Sequence, residues 1–423
     1  MKQNLVISCP ASSRSGYGDH ARDIIRSLIA MDKFNIKVLD QRWGSCPRTG
    51  LVDDDVITPL LLPPGPLQSQ PDIWIQVTVP NEFQPLGKFN IGITAGIETD
   101  RVSVEWLEGM NRMDMNIVPS QHSKVVFEKT SYTQKTNEGE FIKTVELVKP
   151  IHVVFEGLDV SIFDKSEDAS FCGIDHIPEE FCFLVVGHWL SGDVTHDRKD
   201  LGGTIQTFIH TFKGRGAKPA MILKTSSATL SVTDREQVLQ RVQSIQAQTG
   251  VPLDNQPNIY LLHGDLTPSE MNGLYNHTKV KAMVSLTHGE GFGRPLLEFS
   301  VTGKPTIATN WSGHVDFLGT HTFKVPGKVT PVHASAVIKD VIIEGSEWFY
   351  ADYGYASKLL REVYKHYKSH TAISRKQRKF VKDNFSLNAM TEELSRIMVD
   401  NIPEHVILKL PKLKLPKLEK VHE

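Results

Sequence analysis

Short apolar, β-branched runs alternate along the chain with longer stretches whose apolar positions recur at helical spacing. Val6-Ile7-Ser8 reads as a strand, and His20–Met31 places Ile24, Ile25, Leu28 and Ile29 on one helical face. Further strands are expected at Ile36–Leu39, Ile73–Val77, Ile91–Thr94, Asn116–Val118 and Val153–Phe155, with a helix over Trp106–Asn111. After the polar stretch Phe163-Asp164-Lys165 the alternation restarts. Strands are expected at Phe181–Val186, Ala220–Leu223, Ile259–Leu262, Ala282–Leu286 and Pro305–Ala308. Helices are expected at Leu201–Phe212, Asp234–Gln248, Ser269–Asn276 and Pro295–Val301. Two βα series of similar length predict an α/β protein of two doubly wound, Rossmann-like domains. Open parallel sheets bind ligands beyond the carboxyl ends of their strands, which directs attention to the cleft between them.

The last part differs. Arg361–Lys382 reads as a basic helix and Phe385–Met398 as an amphipathic one, while the Lys409–Lys420 repeat KLPKLKLPKLEK has too many prolines for a regular helix. The resulting division is residues 1–160 for the first domain, 165–384 for the second, 385–400 for a final helix and 401–423 for an extended tail.

Composition narrows the class. With 423 residues, 40% hydrophobic and 23% charged, the chain has the makeup of a globular protein of two or three domains. A formal charge of −2 supplies no global attraction to nucleic acid or anionic membranes. Cys9, Cys46, Cys172 and Cys182 have no C-x-x-C spacing, which disfavours a zinc ribbon and fits a reducing cytoplasm. No run reaches the roughly 18 apolar residues of a membrane span, so a soluble, cytoplasmic protein is expected.

The richest stretch is THGEGFGRPLLEFSVTGKPTIATNWSGHVDFL, Thr287–Leu318. Gly289, Gly291 and Gly293 allow a tight turn and close approach to a ligand, and Pro295 suits the start of a helix. Such a turn presents free N–H groups to a diphosphate. Glu290 on the loop and Glu298 inside the helix can each accept hydrogen bonds from paired hydroxyls, one from a sugar and one from a ribose.

Glu290 and Glu298, with seven residues between them that include Gly-Phe-Gly, resemble the E-x7-E signature of the retaining GT-B enzymes of glycosyltransferase family 4. The strand before, the helix after and the Gly-Lys-Pro-Thr strand beyond match as well. So do Phe155–Phe163, similar to the interdomain G-x-D-x-x-x-F linker, Val185-Val186-Gly187 with Arg198-Lys199, similar to the diphosphate loop, and Phe385-Ser386 with its helix. The resemblance covers residues 150–400 well and the first domain more loosely. It implies a GT-B fold whose final helix crosses back to the first domain, and a nucleotide-sugar cosubstrate such as a UDP-sugar.

Residue by residue, the resemblance implies that Glu290 contacts the transferred sugar and Glu298 the ribose. The backbone of Gly291, Phe292 and Gly293 would approach sugar and phosphates, and Lys199 would neutralise the leaving diphosphate. Where the family has an arginine after the strand glycine, this chain has His188, leaving Arg198, Arg294 or Lys224 as the second cation. Ser15-Gly16-Tyr17-Gly18 corresponds to the glycine-rich loop of the first domain, with Gly16 and Gly18 near the donor and His20 touching the acceptor. Retention by front-face attack needs neither a protein nucleophile nor a metal.

Bland readings stand beside these. Asp53-Asp54-Asp55 has D-x-D spacing but reads as a solvated turn, and His366/His370 read as a basic surface rather than a zinc site. His288 and His314 fit structural hydrogen bonding as well as ligand contact, and Glu98 is a residue that can face the acceptor. SGYGDHARDIIRSLIAMDKF, VPNEFQPLGKFNIGITAGIETD and WLEGMNRMDMNIVPSQHSK resemble glycosyltransferases encoded by large tailed bacteriophages. That implies a host-cytoplasmic enzyme and hydroxymethylcytosine in phage DNA as one acceptor. The basic segment of Arg361, Lys365, Lys368, Arg375, Lys376, Arg378, Lys379 and Lys382 could track its backbone, but it reads first as a solvated charged helix, and the first domain itself is not basic. The alternatives are transfer to a glycan, lipid-linked sugar or small molecule, and a non-catalytic sugar- or nucleic-acid-binding relative.

Overall fold

The computed structural model describes residues 2–403 except 64, 137–138, 167–170 and 228–229. The predicted extended tail therefore lies, from residue 404 on, outside the described residues.

The first sheet is parallel, with order β2-β1-β3-β4-β5-β8. Its strands are β1 (Gln3–Cys9), β2 (Phe34–Asp40), β3 (Ile73–Val77), β4 (Phe89–Ile93), β5 (Met115–Val118) and β8 (Ile151–Val153). The hairpin β6 (Ser131–Lys135) and β7 (Phe141–Glu146) projects before β8. The second sheet is also parallel, with order β11-β10-β9-β12-β13-β14. It comprises β9 (Cys182–Val186), β10 (Ala220–Lys224), β11 (Ile259–Leu262), β12 (Val280–Ser285), β13 (Thr306–Thr309) and β14 (Phe323–Val325). Strands buried on both faces, such as β5, read as unbroken apolar runs because helices cover each side of a parallel sheet.

Helices α1 (Gly16–Met31), α2 (Val104–Arg112) and α3 (Gln121–Lys129) accompany the first sheet. Helices α4 (Leu201–Phe212), α5 (Val232–Gln248), α6 (Pro268–Asn276) and α7 (Arg294–Ser300) accompany the second. Their starts follow local chemistry: the side chains of Ser15, Ser103, Ser120 and Ser231 accept the free N–H groups of α1, α2, α3 and α5.

The structure departs from the sequence expectation in several places, since β14, α3 and the hairpin β6–β7 were not expected. The basic stretch is two helices, α8 (Tyr353–Lys365) and α9 (Tyr367–Asn384), broken at His366, whose φ of −118° and ψ of 32° leave the helical region. The strand expected at Val153–Phe155 sits two residues earlier, paired with β5. The hairpin β15 (Gly327–Pro331) and β16 (Glu347–Ala351) was not foreseen. It ties to the first domain, where Asp100 N–H donates to Glu347 O at 2.9 Å and its Oδ1 accepts from Glu347 N at 2.6 Å.

The final helix α10 (Leu387–Asn401) crosses back as the resemblance implied. Met390, Leu394, Ile397 and Met398 join the core of the first sheet with Leu5, Ile24 and Leu28. At the crossing, Leu158 N–H donates to Phe385 O and Leu387 N–H to Leu158 O, both at 2.8 Å. Among the described residues, no helix is long and apolar enough to cross a membrane.

Candidate functional site

Glu290 sits on the turn between β12 and α7 with 5% of its surface exposed. Its Oε1 accepts from Lys199 Nζ at 2.5 Å, and its Oε2 lies 3.7 Å from Arg198 Nη1. Burial works to raise the Glu290 carboxyl, but the two cations outweigh it and hold it below the ordinary carboxylate range. Lys199 pays for the same burial with a pKa below the usual lysine range. The loop carrying both cations is fixed from behind, since Arg198 O accepts from His288 N–H at 3.0 Å and from Thr287 Oγ1 at 3.1 Å.

Glu298 lies inside α7 and faces a different group. Its Oε2 accepts from Tyr275 Oη at 3.1 Å and its Oε1 from Arg294 Nε at 3.0 Å. Burial pushes its carboxyl up to about 7. Arg294 reaches across to the first domain, with Nη1 2.5 Å from Asp23 Oδ2 and 3.9 Å from Glu156 Oε2. Burial raises Glu156 to about 8.

The three candidates for the second cation are thus separated. Arg294 is engaged by Asp23 and Glu298, and Lys224, the last residue of β10, donates to Gly264 O at 2.7 Å beyond the end of β11. Arg198 is the one beside Lys199 and Glu290, and it also pairs with Glu98 of the first domain at 3.2 Å. His188 does not replace an arginine: burial and the neighbouring Arg198 and Lys199 lower its pKa, and its ring meets Ser226 Oγ at 3.3 Å.

The glycines behave differently from the expectation. A Cβ on Gly291 would lie 2.0 Å from Ala95 O, and one on Gly289 2.0 Å from Glu98 O. The close approach they permit is to the backbone of the opposite domain. Gly293 has φ +100°, the left-handed region that favours glycine, and caps α7. The Phe292 side chain is core, 5.0 Å from the Phe317 ring. On the first domain, Gly16 is the open position, where a Cβ would meet nothing within 4 Å, whereas Gly18 packs on Ser13 O. His20 lies one turn inside α1 rather than opening it. It is 1% exposed, neither ring nitrogen has a partner among the described residues, and burial lowers its pKa to about 3.

His288 and His314 both make hydrogen bonds to backbone carbonyls. His288 sets its ring nitrogens against Phe349 O and Thr195 O, and His314 sets Nε2 against Thr309 O. Asp54 caps its own turn and pairs with Arg26. Among the described residues, no three His, Cys, Asp or Glu are grouped to hold a metal. Sequence reasoning missed Asp23, Glu156 and Tyr275, which have no local signature because sequence-distant segments bring them to the site.

No protein-family model matches the sequence, and no curated protein sequence matches it either. Solved structures do. A sucrose-phosphate synthase from Thermosynechococcus elongatus is 13% identical, with a TM-score of 0.63 over 94% of this chain and 99% of that one. A glycosyltransferase from Rickettsia africae is 15% identical, with a TM-score of 0.62 over 96% and 100%. Anabaena HepE, solved with UDP and glucose, is 11% identical with a TM-score of 0.55 over 94% and 100%. Full-length likeness of this kind, with two parallel six-stranded sheets and a C-terminal helix crossing between them, shows that the chain has the GT-B fold.

Proposed function

We propose that the protein is a retaining, metal-independent glycosyltransferase that moves a sugar from a nucleotide-diphosphate donor to an acceptor hydroxyl. The observation that carries this is the division of labour between the two glutamates. Glu290 stands with Lys199 and Arg198 at the face of the other domain, while Glu298 stands apart with Tyr275. That separation suits a sugar on the first and a ribose on the second, with the diphosphate between them at the cations. UDP and glucose bound by Anabaena HepE support a UDP-sugar as donor.

In the proposed step the acceptor oxygen bonds to the anomeric carbon as the bond from that carbon to the phosphate oxygen breaks. The departing diphosphate takes the acceptor proton on the same face, so configuration is retained. Lys199 and Arg198 stabilise the charge that develops on the phosphate. Glu290, held ionised by them, orients sugar hydroxyls through Oε2. His20, neutral and without a partner among the described residues, has hydrogen-bonding capacity to offer the reacting groups. Gly16 leaves room for the donor at the start of α1.

For the acceptor, hydroxymethylcytosine DNA remains the reading drawn from the first domain's likeness to phage enzymes. A glycan, lipid-linked sugar or small molecule is favoured by one observation. Part of the basic face is already neutralised, with Arg378 and Lys382 sharing Asp164 and Lys379 facing Asp383. Incubation with a panel of nucleotide sugars, with and without hydroxymethylcytosine DNA, followed by mass spectrometry, separates these. A hexose or pentose mass gain on the nucleoside identifies DNA, and donor turnover alone points to the other acceptors. Unchanged transfer by Glu290→Ala, or loss of transfer on adding EDTA, refutes the corresponding part of the proposal.

A further inference from the structure

The charge balance of the cleft is unusual for a site that receives a diphosphate. Three cations, Arg198, Lys199 and Arg294, face five carboxylates, Glu98, Glu290, Asp23, Glu156 and Glu298. Each cation is within 3.2 Å of a carboxylate oxygen. A diphosphate adds further negative charge, and a buried charge is tolerated only when it is paired. A diphosphate that takes one of these cations therefore displaces the carboxylate oxygen already on it.

The structure distinguishes which one. Lys199–Glu290 and Arg294–Asp23 are each 2.5 Å pairs whose carboxylate side chains are 7% and 8% exposed. Glu98 is the most exposed of the five, at 21% of its side chain, and its contact with Arg198 is 3.2 Å. It is also the only one of the five that meets Arg198 from across the cleft, and the Arg198 side chain is itself 20% exposed. The backbone of Arg198 is held by His288 and Thr287, so its guanidinium can change partners without moving the loop.

We propose that Glu98 is a placeholder for the donor phosphate, an anion supplied by the acceptor domain that occupies Arg198 until a nucleoside diphosphate displaces it. The inference rests on the donor-site reading above. It assigns Arg198 as the second diphosphate cation and makes donor binding a competition between two anions for one guanidinium. Removing the charge of Glu98 then strengthens nucleotide binding, the reverse of what loss of a ligand-contacting residue does. Because burial and the nearby Glu290 raise the Glu98 carboxyl, protonation relieves the competition as pH falls. The charged groups facing it are Arg198, Lys199 and Glu290.

The test is calorimetric titration of UDP, ADP and GDP into the full-length wild type, Glu98→Gln, Glu98→Asp and Arg198→Gln proteins between pH 6 and pH 9. The expected result is a nucleoside diphosphate bound about tenfold tighter by Glu98→Gln, or about 1.4 kcal/mol, with Glu98→Asp in between and Arg198→Gln weaker than wild type. The wild type should weaken relative to Glu98→Gln as pH rises. Equal or weaker binding by Glu98→Gln overturns the placeholder and leaves the donor site standing. Should that variant fail to fold, Glu98→Asp binding no tighter than wild type does the same. No binding of any of the three nucleotides by any of the proteins overturns the donor-site reading itself.

Discussion

Gly291→Ala is the substitution whose effect the geometry defines most closely. The new Cβ would lie 2.0 Å from Ala95 O and 3.1 Å from Ala95 C, both backbone atoms of the opposite domain. The facing residue is also a glycine, and a Cβ on Gly96 would meet Gly291 Cα at 3.1 Å. Ordinary contact begins near 3.4 Å, so the two backbones must separate by about 1.4 Å. The Ala95 loop has little freedom to retreat, because Ile97 N–H donates to the buried Ser123 Oγ. Relief comes instead from the domains moving apart. Overpacking of this kind is worth about 1–3 kcal/mol, and spent on closure it lowers the closed population about 5- to 150-fold. A displacement near 1 Å between reacting groups costs on the order of a hundredfold in rate.

The expected outcome is a kcat reduced within that span, with UDP affinity changed by less and the melting temperature nearly unmoved, since each domain keeps its own core. Steady-state transfer at saturating donor, calorimetry with UDP and a thermal melt read the three quantities. Gly16→Ala is the control: its Cβ meets no atom, so the fold is unharmed and a loss of donor affinity reports filled ligand space. Wild-type kcat in Gly291→Ala, or a fall in stability with unchanged kinetics, would refute the reasoning.

Lys199→Met strands Glu290 in a buried site with only Arg198 at 3.7 Å, and breaking a buried pair costs about 3–5 kcal/mol. Because the wild-type Glu290 pKa is depressed, its contribution is present above the unfolded carboxyl pKa and lost as pH falls. Urea melts should therefore show the deficit at pH 8 and a smaller one at pH 4. Glu156 behaves oppositely: raised to about 8 when folded, it binds a proton the unfolded chain releases near its ordinary value of 4.5. Stability consequently falls as pH rises from about 4.5 through 8. Glu156→Gln should raise the melting temperature at pH 9 while leaving it near wild type at pH 5, and parallel profiles for the two proteins would contradict this. Arg294→Met leaves Asp23, Glu156 and Glu298 buried without their shared cation, so it should unfold at lower urea than Lys199→Met at pH 8, the difference closing in acid as the carboxylates protonate.

Much of the fold was legible because its signals are local. Parallel strands buried on both faces read as apolar runs and the helices between them as apolar positions at helical spacing, so periodicity places most of the twelve sheet strands. The hairpin β15–β16 was missed although Trp348, Phe349 and Tyr350 mark a strand, because its aromatic side chains pack on His288 and Trp311 rather than on a neighbouring βα unit. The break at His366 was equally hidden, since α8 and α9 continue one basic composition across a change of direction fixed by packing.

The sequence by itself determined the positions of Glu290, Glu298 and Lys199 relative to their own strands and helices, because a turn of glycines between a strand and a helix is a local property. It could not rank Arg198, Arg294 and Lys224. Their partners, Glu98, Asp23 and Gly264, are 100, 271 and 40 residues away along the chain. Only the closing of one sheet over the other decided that Arg294 would be consumed by the opposite domain, that Gly289 and Gly291 would meet backbone, and that Glu98 would arrive at Arg198. A buried charge takes the partner nearest in space, and that distance is a property of the tertiary structure alone.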